Sequence, residues 1–409
     1  MKIISDLHIH SRFSRATSKN LDLANLEKYA RIKGVTLLGT GDFSHPKWIK
    51  ELKTELIEKE QGVYKTKTGF PFILSNEISL MYSQDGRGRR VHLVLLAPTL
   101  EVVDQITDYL KTLGRIDYDG RPIFGRSCIE VTEALKKISD KIEIIPAHAW
   151  TPWFGIIGSK SGFDSLEQAF GDQVKHIYSL ETGLSSDPPM NWRVSSLDKY
   201  TLLSFSDLHS YWPWRIGREA TLLNLKKLTY DNLIKAIRTR KGYEGTIEVD
   251  PAYGKYHWDG HRNCGVILSP RETRKAKGIC PKCAKPLTIG VEYRVEELAD
   301  RPKGFVPQGA KSFYKMLPLS ELISSVYGNA VSTKTVWGVY NKMLKTFGNE
   351  FNILLDTNRE QLNQVNSNLT EIILQNREGK IKVNPGYDGV YGKAIIKESS
   401  KITKKTRKF

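Results

Sequence analysis

The stretch Lys2-Ile3-Ile4-Ser5-Asp6-Leu7-His8-Ile9-His10 is a short apolar run that closes on two histidines. In a strand, residues two apart share a face, so His8 and His10 point at one ion from the end of that run. Six later runs end in the same way. Residues 35–40 lead to Asp42, residues 70–76 to Glu77, residues 142–147 to His148, residues 177–180 to Glu181, and residues 201–206 to Asp207 and His209. His92 opens another apolar stretch, just after a Gly/Arg-rich turn at residues 86–90. Helix-like segments at 21–33, 99–113 and 131–139 separate several of these runs, which is the βα alternation of a parallel barrel. Catalytic groups in such barrels come from the carboxyl ends of several strands, so the ligand positions and the fold support each other.

The composition sets the frame. A chain of 409 residues with 40% apolar content can bury a sizeable core, and its net charge of +17 points to a polyanionic partner. The opening residues turn charged too early for a signal peptide, and no apolar stretch approaches the roughly 20 residues of a membrane span, so a cytoplasmic protein without membrane attachment is expected. Of four cysteines, Cys128 stands alone as a small buried apolar residue. His261 and Cys264 form an HxxC pair and Cys280 and Cys283 a CxxC pair, which together surround one tetrahedral structural zinc. His257 is an alternative fourth ligand. Residues 262–285 carry seven Lys/Arg against one acid, Glu272, so this finger is expected to lie on nucleic acid.

Three segments follow from these features: a barrel over 1–235, a linker and zinc-finger module over 236–303, and a helical region over 304–409. In the last, residues 317–327, 334–347 and 360–375 repeat apolar positions at three and four spacing. The final nine residues hold five Lys/Arg and read as a basic tail.

The HxH opening, the strand-end Asp, Glu, His and His, and the closing DxH resemble the PHP (polymerase and histidinol phosphatase) metal-dependent phosphoesterases. That resemblance implies an α/β, distorted (β/α)7 barrel with two or three divalent ions. By it, His8, His10, Glu77 and Asp207 hold one ion, Glu77 bridges to a second held by His92 and His148, and Asp42 and His209 hold a third. Asp42, Glu77 and Asp207 are then the catalytic carboxylates, whereas Glu181 lacks an obvious counterpart in the family and is expected behind the ligands. The chain departs from the pattern where many members have histidine in place of Asp42, and at Ser14-Arg15-Ala16, where they have a further ligand. The barrel followed by the finger, the helical region and Pro385-Gly386-Tyr387-Asp388-Gly389 resembles the endonuclease Q family along nearly the whole chain. This implies a DNA repair enzyme of the cytoplasm, associated with the nucleoid, that nicks double-stranded DNA 5′ to deaminated bases (uracil, hypoxanthine, xanthine) and abasic sites. A histidine and carboxylate donor set suits Mn, Zn or Fe better than Mg. Reading a lesion in a duplex requires base extrusion. The aromatic and basic residues after two metal loops, Trp150, Trp153, Tyr211, Trp212, Trp214, Arg215 and Arg218, are candidates for stacking on the base and holding a flanking phosphate. A histidinol-phosphatase-like phosphomonoesterase and a nonspecific or exonucleolytic nuclease are the alternatives. Protein partners are not legible.

Overall fold

The computed structural model describes residues 1–395, so the basic tail lies outside the described residues. The apolar runs become strands β1 (Lys2–Asp6), β2 (Leu37–Gly39), β3 (Pro71–Gln84), β4 (Arg87–Ala97), β5 (Glu143–Pro146), β6 (Ser179–Glu181) and β7 (Thr201–Leu203). Their pairing departs from uniform parallel alternation. β1, β2 and β3 are parallel neighbours, with Ser5 opposite Leu37 and Leu38 opposite Phe72. β3 and β4 instead form a long antiparallel hairpin, from Leu74 opposite Ala97 to Gln84 opposite Arg87, and β5 runs antiparallel to β4. The cause is local. Asp85 and Gly86 both take positive φ, 53° and 70°, the two-residue turn whose twist suits an antiparallel pair. Residues 87–90, expected as a turn, are therefore strand residues.

β6 and β7 form a separate parallel pair, Ser179 opposite Thr201. Single hydrogen bonds tie this pair to its surroundings. The Ala149 amide donates to the Glu181 carbonyl (2.9 Å), the Asp207 amide to the His8 carbonyl (3.0 Å) and the His10 amide to the Leu208 carbonyl (3.2 Å). β8 (Ala220–Asn224) is antiparallel to β1, and β9 (Tyr243–Glu248) is antiparallel to β8. β10 (Asp259–His261) and β11 (Val266–Leu268) make the finger's hairpin, while β12 (Ser312–Lys315) joins β9 in parallel. The main sheet is thus a mixed one of eleven strands that draws on residues well past 235, in place of seven parallel strands.

Helices form where capping and periodicity coincide. Asp22 caps α1 (Leu23–Lys33), and Gly34, at φ 96°, ends it in the left-handed conformation that a Cβ disfavours. Thr99 caps α2 (Leu100–Leu113), and a Ser127/Glu130 capping box opens α3 (Cys128–Ile138). No helix among the described residues is long and apolar enough to cross a membrane. In the C-terminal region α4 (Leu319–Tyr327), α5 (Lys334–Phe347) and α6 (Arg359–Arg377) share one apolar core with α1, through Leu26, Ala30, Leu322, Val336 and Tyr340.

One polar knot fixes that docking. Glu350, fully buried, accepts from the Lys33 ammonium (2.6 Å), the Leu319 amide (2.9 Å) and the Tyr340 hydroxyl (2.7 Å). Lys33 is also buried, and its ammonium donates as well to the Pro213 carbonyl (2.9 Å) and lies over the Phe351 ring at 5.4 Å. Breaking a buried pair strands the other charge, so Glu350→Ala is expected to cost about 3–5 kcal/mol in urea unfolding, whereas a Lys33→Met, Glu350→Met double replacement restores most of it. A loss from Glu350→Ala as small as that of a surface pair would refute this role.

Candidate metal centre

His8, His10, His148 and Asp207, which follow β1, β5 and β7, converge with Glu77 and His92, which lie within β3 and β4 and not at the strand ends expected of them. Two donor groups result, His8/His10/Glu77/Asp207 and Glu77/His92/His148, with the donor atoms of each within 4.8 Å of one another. Glu77 serves both through different oxygens. Its Oε2 faces His10 Nε2 (3.2 Å) and His8 Nε2 (3.5 Å), and its Oε1 faces His92 Nδ1 (2.7 Å) and His148 Nε2 (3.3 Å). Asp207 Oδ1 closes the first group at 3.0 Å from His10 Nε2. Backbone strain collects here. Asp42, His148 and Asp207 all take positive φ, 48°, 30° and 46°, conformations that persist in non-glycine residues where function demands them.

The residues fit divalent cations. His92 Nδ1 and His148 Nε2 approach to 3.2 Å around one carboxylate oxygen, and His8 Nε2 is buried with no hydrogen-bond partner among the described residues. Burial opposes the charge on Glu77, yet His92, Arg121 and His8 outweigh it and hold the carboxyl well below the usual range. Burial pushes His92 down to about 4 despite Glu77, which keeps its ring a neutral donor. Carboxylates behind the imidazoles set their orientation, as second partners of metal-bound histidines do. Glu181 Oε2 lies 2.9 Å from His8 Nδ1 and accepts the His148 amide (2.9 Å).

Asp42 and His209 stand in neither of these donor groups. Asp42 Oδ1 sits 3.1 Å from His10 Nδ1, and its Oδ2 accepts the Ser11 amide (2.6 Å), the Ser11 hydroxyl (2.7 Å) and the Ser14 hydroxyl (2.8 Å). With its oxygens used in this way, Asp42 stands behind His10 as Glu181 stands behind His8. His209 turns Nδ1 to the Asp207 carbonyl (3.0 Å), with its ring against that of His10.

The aromatic candidates divide. Trp150 is fully buried and donates its indole N–H to Asn191 (2.8 Å), so it packs beneath the centre. Trp153 rests edge-on against Tyr256, and its neighbour Phe154 covers His92 at 4.4 Å between ring centroids. Trp212 and Trp214 stack in parallel at 5.3 Å and pack on Trp337 of α5, while Tyr211 meets Tyr29 of α1. Arg218 donates through Nε and Nη2 to the Ser206 carbonyl, and it lines a small pocket with Arg215, Tyr253, Glu321 and Tyr391. Arg121, which no sequence pattern singled out, reaches into the centre, with Nη1 3.1 Å from Glu77 Oε2.

Behind the centre lie two buried carboxyls. Glu219 accepts the Ser204 hydroxyl (2.6 Å) and the Val249 amide (2.9 Å), and Glu248 accepts the Thr182 hydroxyl (3.0 Å). Burial pushes Glu219 from 4.5 to about 8, and burial together with the Glu219 charge raises Glu248 well above its ordinary value. The native state therefore binds more protons than the unfolded chain between these values. The stability is fully present below the unfolded value and falls as pH rises toward 8. Glu248→Gln is expected to match the wild-type unfolding free energy near pH 4.5 and to exceed it by an amount on the order of 1 kcal/mol at pH 8. Parallel melting curves across that window would refute it.

A third donor group, His261, Cys264, Cys280 and Cys283, forms where β10 and β11 turn back, with Cys283 Sγ 3.2 Å from His261 Nδ1. Burial opposes the Cys280 thiolate, but the Lys282 and Cys283 amides and His261 bring it down to about 6. That is a thiolate and imidazole set suited to zinc.

A histidine and carboxylate centre built on a mixed α/β sheet places the protein among metal-dependent phosphoesterases. Residues 318–380 match the family model of the MJ0043 C-terminal domain. The uncharacterized protein MJ0043 of Methanocaldococcus jannaschii is 32% identical over 255 residues, which are 61% of this chain and 32% of that protein, so the match spans about a third of that relative's length. The uncharacterized protein YqxK of Bacillus subtilis is 28% identical over 414 residues, 96% of this chain and 99% of its own. The lesion-specific endonuclease PfuEndoQ of Pyrococcus furiosus superimposes with a TM-score of 0.88 at 32% identity, over 98% of both chains. An endonuclease Q bound to a 27-mer duplex substrate with an abasic lesion at the active site gives 0.87 at 32% identity, over 97% of both. The chain belongs to the endonuclease Q family and is a metal-dependent endonuclease.

Proposed function

We propose that the protein is a DNA repair endonuclease that hydrolyses the phosphodiester on the 5′ side of abasic sites and of the deaminated bases uracil, hypoxanthine and xanthine. The likeness over nearly the whole chain to an endonuclease Q holding an abasic duplex carries this reading. His8, His10, Glu77 and Asp207 would hold one divalent ion, and Glu77, His92 and His148 a second. Such ions supply Lewis acidity toward the phosphate and a lowered pKa for water. The protein's own part is positioning. Glu181 and Asp42 fix the rings of His8 and His10, Phe154 covers His92 from water, and the basic finger and a net charge of +17 attract the duplex backbone. In this reading β1 to β7 are the seven strands of a distorted PHP-type barrel, the finger and the helical region are appended modules, and the enzyme works at the nucleoid.

The test is a nicking assay on end-labelled duplexes with one abasic site, uracil or hypoxanthine, in Mn, Mg or chelator. A metal-dependent cut immediately 5′ of the lesion, leaving a 3′-hydroxyl and a 5′-phosphate, with undamaged duplex intact, is the expected result. Cuts unrelated to the lesion, or rapid turnover of a chromogenic phosphomonoester alone, would replace the proposal with a general nuclease or a phosphatase.

A further inference from the structure

We infer that Arg121 is a catalytic residue of this centre, contacting a non-bridging oxygen of the phosphodiester as it is cleaved. The inference rests on the phosphodiesterase reading of the site and adds a group that the metal ligands do not include. Arg121 Nη1 is 3.1 Å from Glu77 Oε2, the oxygen that faces His8 and His10, and its side chain is 25% exposed while Glu77 is sealed off. One of its five N–H donors is spent on Glu77, and among the described residues the rest have no protein acceptor.

The loop that carries Arg121 is built to hold it there. Asp119, almost fully buried, accepts both the Arg15 and Arg121 amides (3.2 Å each), and the Gly120 amide donates to the Phe13 carbonyl (3.1 Å). The Pro122 carbonyl accepts the Ser79 amide of β3 (2.9 Å), and the Tyr118 hydroxyl accepts the Ile123 amide (2.9 Å). A Cβ at Gly120 would collide with the Asp42 carboxylate and the Ser14 hydroxyl, so this glycine lets the loop reach the centre. The nearby Arg218 is committed to the Ser206 carbonyl, which leaves Arg121 as the guanidinium that reaches the Glu77 carboxylate.

The chemistry defines the role. Water oxygen forms the new bond to phosphorus and the bond from phosphorus to O3′ breaks with its electron pair. O3′ gains a proton and the water loses one, giving a 3′-hydroxyl and a 5′-phosphate. Negative charge gathers on the non-bridging oxygens as this happens. A fixed planar guanidinium at that place stabilises it through N–H donors that need no rearrangement.

The alternative role, holding Glu77 for metal, makes the opposite prediction for metal affinity, and the two are separated on the full-length protein. Arg121→Ala and Arg121→Lys are compared with wild type on bis(p-nitrophenyl) phosphate and on an abasic duplex, with Mn²⁺ affinity measured by calorimetry. The expected result is a kcat lower by about 10²–10³ on both substrates, partial rescue of Arg121→Ala by added guanidinium ion, and Mn²⁺ affinity kept or raised because a nearby positive charge has gone. Unchanged kcat, or a rate loss explained by weakened Mn²⁺ binding, overturns the inference. A wild type that hydrolyses the small diester in an Arg121-dependent way but spares the lesion duplex keeps the inference and removes the repair function. A wild type inert on both removes both.

Discussion

Glu77→Ala protein is expected to lose hydrolysis by a factor on the order of ten thousand and to release both metal ions together. The reason is the division of labour between its two oxygens. Oε1 faces His92 and His148, and Oε2 faces His8 and His10, so no other side chain belongs to both groups. A ligand of one group has a narrower effect. His92→Ala should keep the ion held by His8, His10 and Asp207 and release the other. Metal content after dialysis, read by mass spectrometry beside the rate, distinguishes these outcomes. Circular dichroism checks that the variants are folded. Asp42→Asn provides the contrast, because Asp42 meets the centre through His10 Nδ1 and the hydroxyls of Ser11 and Ser14, so metal should bind less tightly and yet both ions should remain detectable. Glu77→Ala protein that retained two ions, or Asp42→Asn protein that lost one entirely, would mean the two groups have been drawn around the wrong carboxylate.

The parts of this architecture that local chemistry controls were legible. The period-two placement of His8 and His10 needs only an extended backbone, and the helical periodicity over 21–33 and 99–113 coincides with the helices that Asp22 and Thr99 cap. The β3 to β4 hairpin was hidden because the arginines at 87, 89 and 90 suggest an exposed turn, whereas the turn is the two residues Asp85 and Gly86. Asp42 occupies a strand end like any ligand. The hydroxyls of Ser11 and Ser14 that engage its oxygen were a signal available in the run after His10. Arg121 left no such trace, since its position depends on Asp119 and Gly120 packing against the loops of Ser14, Arg15 and Asp42, distant in sequence. Trp212 and Trp214 follow the metal loop directly and suggest its rim, but Trp337 of the helical region draws them into a stack between two parts of the chain.

Cys283→Ala protein is expected to lose one zinc per chain and the structure of the finger with it, while turnover of bis(p-nitrophenyl) phosphate persists. The finger cannot hold itself together by burial, because its apolar core consists of Val266, Cys280 and Leu287, with Leu268 and the remaining cysteines packed around it. Segments of this size rely on a metal, and structural zinc supplies about 10–16 kcal/mol in isolated finger peptides. Without it the basic loop has no fixed shape in which to follow a phosphate backbone. The duplex should then bind more weakly and with a shallower dependence on salt, by about 0.9 in logarithmic slope for each phosphate that the finger no longer neutralises. Limited proteolysis should cut within residues 262–285 in the variant and spare them in the zinc-loaded protein. The hydrolytic centre belongs to other elements, with its six donors within the first 209 residues, so small-diester turnover reports on it independently of the finger. An unchanged salt slope alongside confirmed zinc loss would assign the finger to fold stability alone and move duplex recognition to the loops around the metal centre. Parallel loss of diester turnover would show instead that the helix after the finger, anchored through Arg294 to the Ile157 and Phe163 carbonyls, transmits the collapse to the loop that carries Phe154 over His92.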